Sequence, residues 1–166
     1  MRKILFPFIA LLFLTQGCEN ATKKKAFDFN QKLSGISDSL AARGKQLGGE
    51  LEKALQSKDF STIAGFNKEL LSYVDSRVAE LNTMEDIGGS GNLKTAMISF
   101  LGFEKELVTQ GVVPFEQMDA TTSQEDIQAA AQTLVKKTEE EKDYLKKVQD
   151  AQREYAQKNG FKIKDR

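Results

Sequence analysis

Glu104 and Glu141 are the residues of this chain best placed by type and spacing to do chemistry. Each falls at or beside an apolar helical stripe, where leucine is expected, and Thr138 lies one turn before Glu141 on the same face. Two readings follow: a site for a cation or polar ligand inside a helical bundle, or two acids at the edge of their stripes paired with Lys or Arg. Two carboxylates alone define no metal site. Histidine is absent from all 166 residues. That removes Ser-His-Asp and Cys-His nucleophiles, the imidazole base, and histidine ligation of zinc, haem or a carboxylate-bridged iron pair. Gly88-Gly89-Ser90-Gly91 lacks the Lys-Ser/Thr and the preceding strand of a phosphate-binding loop. No catalytic set, metal or cofactor is expected, and the chain does not read as an enzyme. Phe60, Phe66, Phe100, Phe103 and Phe115 read as core, with an apolar pocket for a lipid tail as the sharper alternative.

The single thiol, Cys18, belongs to the N-terminal segment. Arg2 and Lys3 precede an apolar run of 11 residues, Ile4 to Leu14, interrupted by Pro7. A membrane-spanning helix needs roughly 17–25 residues, so the run suits the apolar region of a cleaved secretory signal. Thr15-Gln16-Gly17-Cys18 then places a small residue directly before the cysteine. This resembles the lipobox of bacterial lipoproteins, with Thr15 where an aliphatic residue is usual. The resemblance implies cleavage after residue 17 and diacylglycerol on the Cys18 thiol. Glu19, rather than Asp, follows the cysteine, which in proteobacterial sorting implies the outer membrane or cell surface. Residues 18–25 are expected to form a lipidated, polar tether, with Lys23, Lys24 and Lys25 as a solvated spacer or a contact to anionic headgroups.

Residues 26–166 must then form the domain that positions the acids. Without the signal, 22 basic residues face 24 acidic ones, a net charge of about −2 with no basic face for nucleic acid. No cysteine remains for a disulfide. Leu33, Ile36, Leu40, Leu47, Leu51 and Leu55 recur at threes and fours and predict a first helix from about Ala26 to Gln56. Gly44 and Gly48, one turn apart, would let a neighbouring helix approach closely, or Gly48-Gly49 would bend or break the helix. Phe60, Ile63, Phe66, Leu70, Val74, Val78 and Leu81 predict a second helix, from about Asp59 or Ser61 to Asn82. A glycine-rich loop over 84–92 leads to a third helix from about Leu93 to Thr109, stopped by Gly111, with Pro114 holding an extended stretch beyond.

Thr122-Ser123-Gln124-Glu125 reads as a capping box opening a long fourth helix, its stripe set by Ile127, Ala131, Leu134, Leu145, Val148 and Tyr155, its end capped by Asn159-Gly160. Glu139-Glu140-Glu141 reads mainly as a solvated run with i,i+4 partners such as Lys146. Period-two alternation is absent. The fold class is all-α, an antiparallel up-down four-helix bundle.

The ending Ala151-Gln152-x-x-Tyr155-Ala156-x-Lys158-x-Gly160-Phe161, behind a lipobox and three helical segments, is similar to small bacterial surface lipoproteins of the kind described in spirochaetes. The resemblance implies a helical surface or outer-membrane protein and supplies no functional residues. Two functions stay open: a membrane-anchored binding or structural module meeting an envelope protein partner, or a carrier or sensor with an apolar ligand in the bundle core. For the first, the 84–92 and 111–122 loops are candidate contact faces, with Val112, Val113 and Phe115 either apolar anchors or a lid over the bundle end.

Overall fold

The computed structural model describes residues 16–163, with side chains from residue 21 onward. The predicted signal, residues 1–17, lies outside the described residues except for its last two, and so does the Cys18 side chain. The chain is all-helical, with no strand among the described residues. Four long helices run over Gln16–Ser57 (α1), Ile63–Thr83 (α2), Gly91–Leu107 (α3) and Gln124–Lys158 (α4).

α1 is already helical at Gln16, the first described residue and ten before the expected Ala26 boundary, and is unbroken at Gly48-Gly49. Nothing between Glu19 and Ala26 stops a helix: Ala21 and Lys23 to Lys25 are ordinary helix formers. The expected tether is therefore a solvent-exposed helical stalk from Ala21 to Lys25, where Lys24 pairs with Asp28 at 2.7 Å. Downstream, Ala26, Phe29, Leu33, Ile36, Leu40, Leu47 and Leu51 bury the predicted stripe. It drifts at its end: Ala54 is buried and Leu55, expected inside, is 38 % exposed.

Successive pairings fix how the helices neighbour one another. Along α1 and α2, Lys32 meets Glu80, and the Tyr73 hydroxyl donates to the Ile36 carbonyl at 3.2 Å under the Arg43 guanidinium. Between α3 and α4, Phe103 stacks on Tyr144 at 4.4 Å, and Lys137 pairs with Glu106. Between α1 and α4, Phe29 packs edge-on to Tyr155, and Gln152 donates to the Ser34 hydroxyl at 3.0 Å.

α4 opens one residue later than the expected capping box. Ser123, not Thr122, is the cap: its hydroxyl accepts from the Asp126 amide at 3.1 Å and donates to the Asp126 carboxylate at 2.7 Å. The far end closes as expected. Gly160 sits at φ +68°, its amide reaches the Gln157 carbonyl, and the Phe161 amide reaches that of Ala156. This is the paired bond pattern that satisfies a helix C-terminus through a left-handed residue. Phe161 folds back on Tyr155 and Phe27.

The 84–92 loop is stitched to the same end. Buried Tyr155 donates to the Ile87 carbonyl at 2.7 Å, and Asn159 donates to that of Gly88 at 3.1 Å. Burial, and then the Asp86 charge, push the Tyr155 hydroxyl up to about 12, so it stays a donor.

After α3 the chain departs from expectation. Gly111 does not stop the helix; a π-helical turn covers Val108–Val112 and a 3-10 turn covers Val113–Gln117, so the stretch expected to be extended is helical. Burial explains it. Val112 and Phe115 are 3 % and 0 % exposed, Phe115 stacks on Phe60, and Asn67 donates to Glu116 at 2.6 Å. The segment is a lid over the bundle end: of the three candidate anchors, Val112 and Phe115 are buried and Val113 is half-buried.

Candidate functional site

The α1 stripe loses its side chains at Gly44 and Gly48, between Leu40, Leu47 and Leu51. No neighbouring helix closes on them: a Cβ built at either glycine would meet nothing within 4 Å. The expected close approach is therefore not made. A cavity of about 400 Å³ lies there instead, bounded by α1, α3, α4, the π turn and Leu70 of α2. Both glycines are exposed, so it opens to solvent along α1.

The π turn shapes the other end. A Cβ on Gly111 would stand 3.1 Å from Leu134 Cδ1 and 3.4 Å from Leu134 Cα, so α4 and the turn touch through the glycine. Val108 and Val112 are thereby turned onto the cavity. Single π turns inside helices recur at functional sites. Leu134, expected in the core, is half-buried on the cavity wall. Leu40, Leu47, Leu51, Phe100 and Leu145 complete a mainly apolar lining. Of the five phenylalanines, Phe60, Phe100, Phe103 and Phe115 are core and Phe66 is partly buried; only Phe100 reaches the cavity.

The structure brings Glu104, Thr138 and Glu141 together on this wall. Glu104 is 8 % exposed, and its Oε1 is buried without a hydrogen-bond partner. The expected pairing with Lys or Arg does not form: the lysines of α3 and α4 beside the acids are committed elsewhere, and Lys45, which also lines the cavity, lies on the exposed face of α1. Lys105 is 2.7 Å from Asp75, and Lys137 is held by Glu106 and Glu140. Nor does Lys146 serve the acidic run: it pairs with Asp150, while Glu139 takes Lys142.

A buried carboxylate without a cation neutralises itself by holding its proton. Burial, then the charge of Glu141, then the hydrogen bond between the two acids push Glu104 up to about 8. At neutral pH Glu104 is a carboxylic acid facing Glu141. The Thr138 hydroxyl, on the exposed rim of the cavity, donates to the Leu134 carbonyl at 3.0 Å, so it has only acceptor capacity left. Among the described residues no three His, Cys, Asp or Glu side chains gather in a metal-holding group. The pair offers far fewer oxygens than a hard cation takes. An apolar cleft with a few convergent polar groups and a strongly shifted acid is the physical description of a small-molecule site.

No helix among the described residues is long and apolar enough to cross a membrane. No protein-family model, no curated protein and no solved structure matches the chain.

Sequence reasoning singled out both acids but missed the cavity that joins them. The available signal was the pairing of two missing side chains on one stripe with a carboxylate on another.

Proposed function

We propose that this protein is a lipid-anchored envelope lipoprotein whose helical domain takes a small, largely apolar ligand into the cavity beside Gly44 and Gly48, as a carrier or sensor and not as an enzyme. Diacylglycerol on Cys18 holds it at the outer membrane or cell surface, and the exposed helical stalk sets the domain off from the bilayer. The domain is an antiparallel up-down four-helix bundle, a reading supported by pairings that rise along one helix as they fall along the next: Lys32 with Glu80 and Arg43 with Tyr73, Phe103 with Tyr144 and Glu106 with Lys137.

The cavity carries this reading. Its volume, about 400 Å³, lies within the range of small-molecule sites, and its apolar lining opens to solvent. A helix under no demand but stability gains from alanine at such positions, by roughly 0.5–1 kcal/mol each. The alternative of an envelope protein partner is weakened by the lid, because Val112 and Phe115, two of its three candidate anchors, are covered.

Titration with the apolar fluorophore N-phenyl-1-naphthylamine tests the proposal. One saturable site per chain is expected, lost when Gly44→Leu and Gly48→Leu fill the space. Binding that is unsaturable, or untouched by the double substitution, contradicts it.

A further inference from the structure

The cavity has a polar demand that its own walls leave unmet. Glu104 Oε1 is buried and unpartnered, Glu141 faces it, and the Thr138 hydroxyl has already spent its proton on the Leu134 carbonyl. Once Glu104 gives up its proton, three acceptors line one wall of an otherwise mainly apolar space. A primary ammonium carries three N–H donors and no acceptor.

We propose that the ligand is a primary amine with an apolar body, its ammonium seated among Glu104, Glu141 and Thr138 and its hydrocarbon lying against Leu47, Phe100 and Val112. The proposal rests on the ligand-binding reading above. A fatty acid answers the site less well. Its carboxylate would find a cation only at Lys45, on the exposed face of α1, while its tail covered the orphan oxygen of Glu104 with hydrocarbon and left it unsatisfied.

The charged groups facing this point are Glu104 from α3, Glu141 from α4 and Lys45 from α1; α2 contributes only Leu70, and the π turn only Val108 and Val112. Free Glu104 holds its proton up to about pH 8. Seating an ammonium requires the carboxylate, so binding below that pH expels the Glu104 proton to solvent. Affinity then rises with pH, by up to about tenfold per unit, and levels off near pH 8, where an alkylamine of lysine-like basicity is still charged.

The test uses the full mature chain from residue 18 with Cys18→Ser, so that no acyl chain competes. Calorimetric titration compares 4-phenylbutylamine with 4-phenylbutan-1-ol and 4-phenylbutyrate at about pH 6.5 and about pH 8, in buffers of different ionisation enthalpy. The amine is expected to bind one per chain, about tenfold or more tighter at the higher pH, with net proton release at the lower. Glu104→Gln should weaken the amine by about tenfold or more, the scale of a lost charge-assisted hydrogen bond, remove its pH dependence, and weaken the alcohol far less than the amine. If Glu104→Gln does not fold, Glu141→Gln, at a half-buried position, is expected to weaken the amine in the same direction. Alcohol or butyrate binding as tightly as the amine, or amine affinity indifferent to both acids, overturns the amine assignment and leaves the ligand reading standing. Silence from all three probes with retained naphthylamine binding also overturns the assignment. Loss of naphthylamine binding as well brings down the underlying reading.

Discussion

Glu104 on α3 faces Glu141 on α4, and the lysines beside them are turned to other acids: Lys105 to Asp75, Lys137 to Glu106. The helix register that sets the two carboxyl groups on one cavity wall also turns Lys105 and Lys137 to other acids, and leaves only Lys45, on the exposed face of α1, at the same cavity. Burial and mutual repulsion then keep a proton on Glu104.

That proton makes stability fall as pH rises. Glu104 titrates at about 8 in the folded chain against 4.5 for an ordinary glutamate. Below the lower value both states hold the proton; between the two only the folded state does. Unfolding is therefore favoured increasingly across this window, by up to about 1.4 kcal/mol per pH unit, and the penalty is complete above the higher value. Urea unfolding followed by circular dichroism across this window should show the decline, and Glu104→Gln should remove most of it. An identical slope in the variant contradicts the buried acid.

The glycines divide by what surrounds them. Gly44→Ala and Gly48→Ala meet open space and should each raise stability by roughly 0.5–1 kcal/mol. Gly111→Ala sets its methyl 3.1 Å from Leu134 Cδ1, which must give way, and should lower stability by about 1–3 kcal/mol. Thermal melts of the three variants check the pattern. Stabilisation at Gly111, or a loss at Gly44, places the helices differently from this account.

Cys18→Ala should abolish acyl labelling and release the protein from membranes, since stable anchoring needs more than one acyl chain and diacylglycerol with the cysteine supplies it. Fractionation of cells expressing either form measures it. A variant that still partitions wholly with membranes rules out the lipid anchor.

Much of this fold is legible in the sequence because burial repeats with the helical period. Leu33 to Leu51, Ile63 to Leu81 and Leu93 to Val108 mark inward faces without any knowledge of the neighbours. The cavity is not legible that way. A glycine on a stripe means close approach or empty space according to where the facing helix sits, and Gly111 and Gly48 show one outcome each. Register decides Glu104 as well, since the nearby lysines suggest a salt bridge until their true partners are seen. The lid is a contest between levels. Pro114 disfavours helical backbone at Val113, yet Val113 sits at φ −52°, ψ −34°, because burying Phe115 against Phe60 outweighs the local preference.

The central claim is that the space beside Gly44 and Gly48 exists to hold a molecule. Native mass spectrometry of the protein isolated from the cells that make it tests this most directly. One small molecule per chain is expected beyond the polypeptide and its covalent modifications, released on denaturation and missing from the Gly44→Leu, Gly48→Leu variant. A chain without such an adduct, or the same adduct on the filled variant, contradicts it.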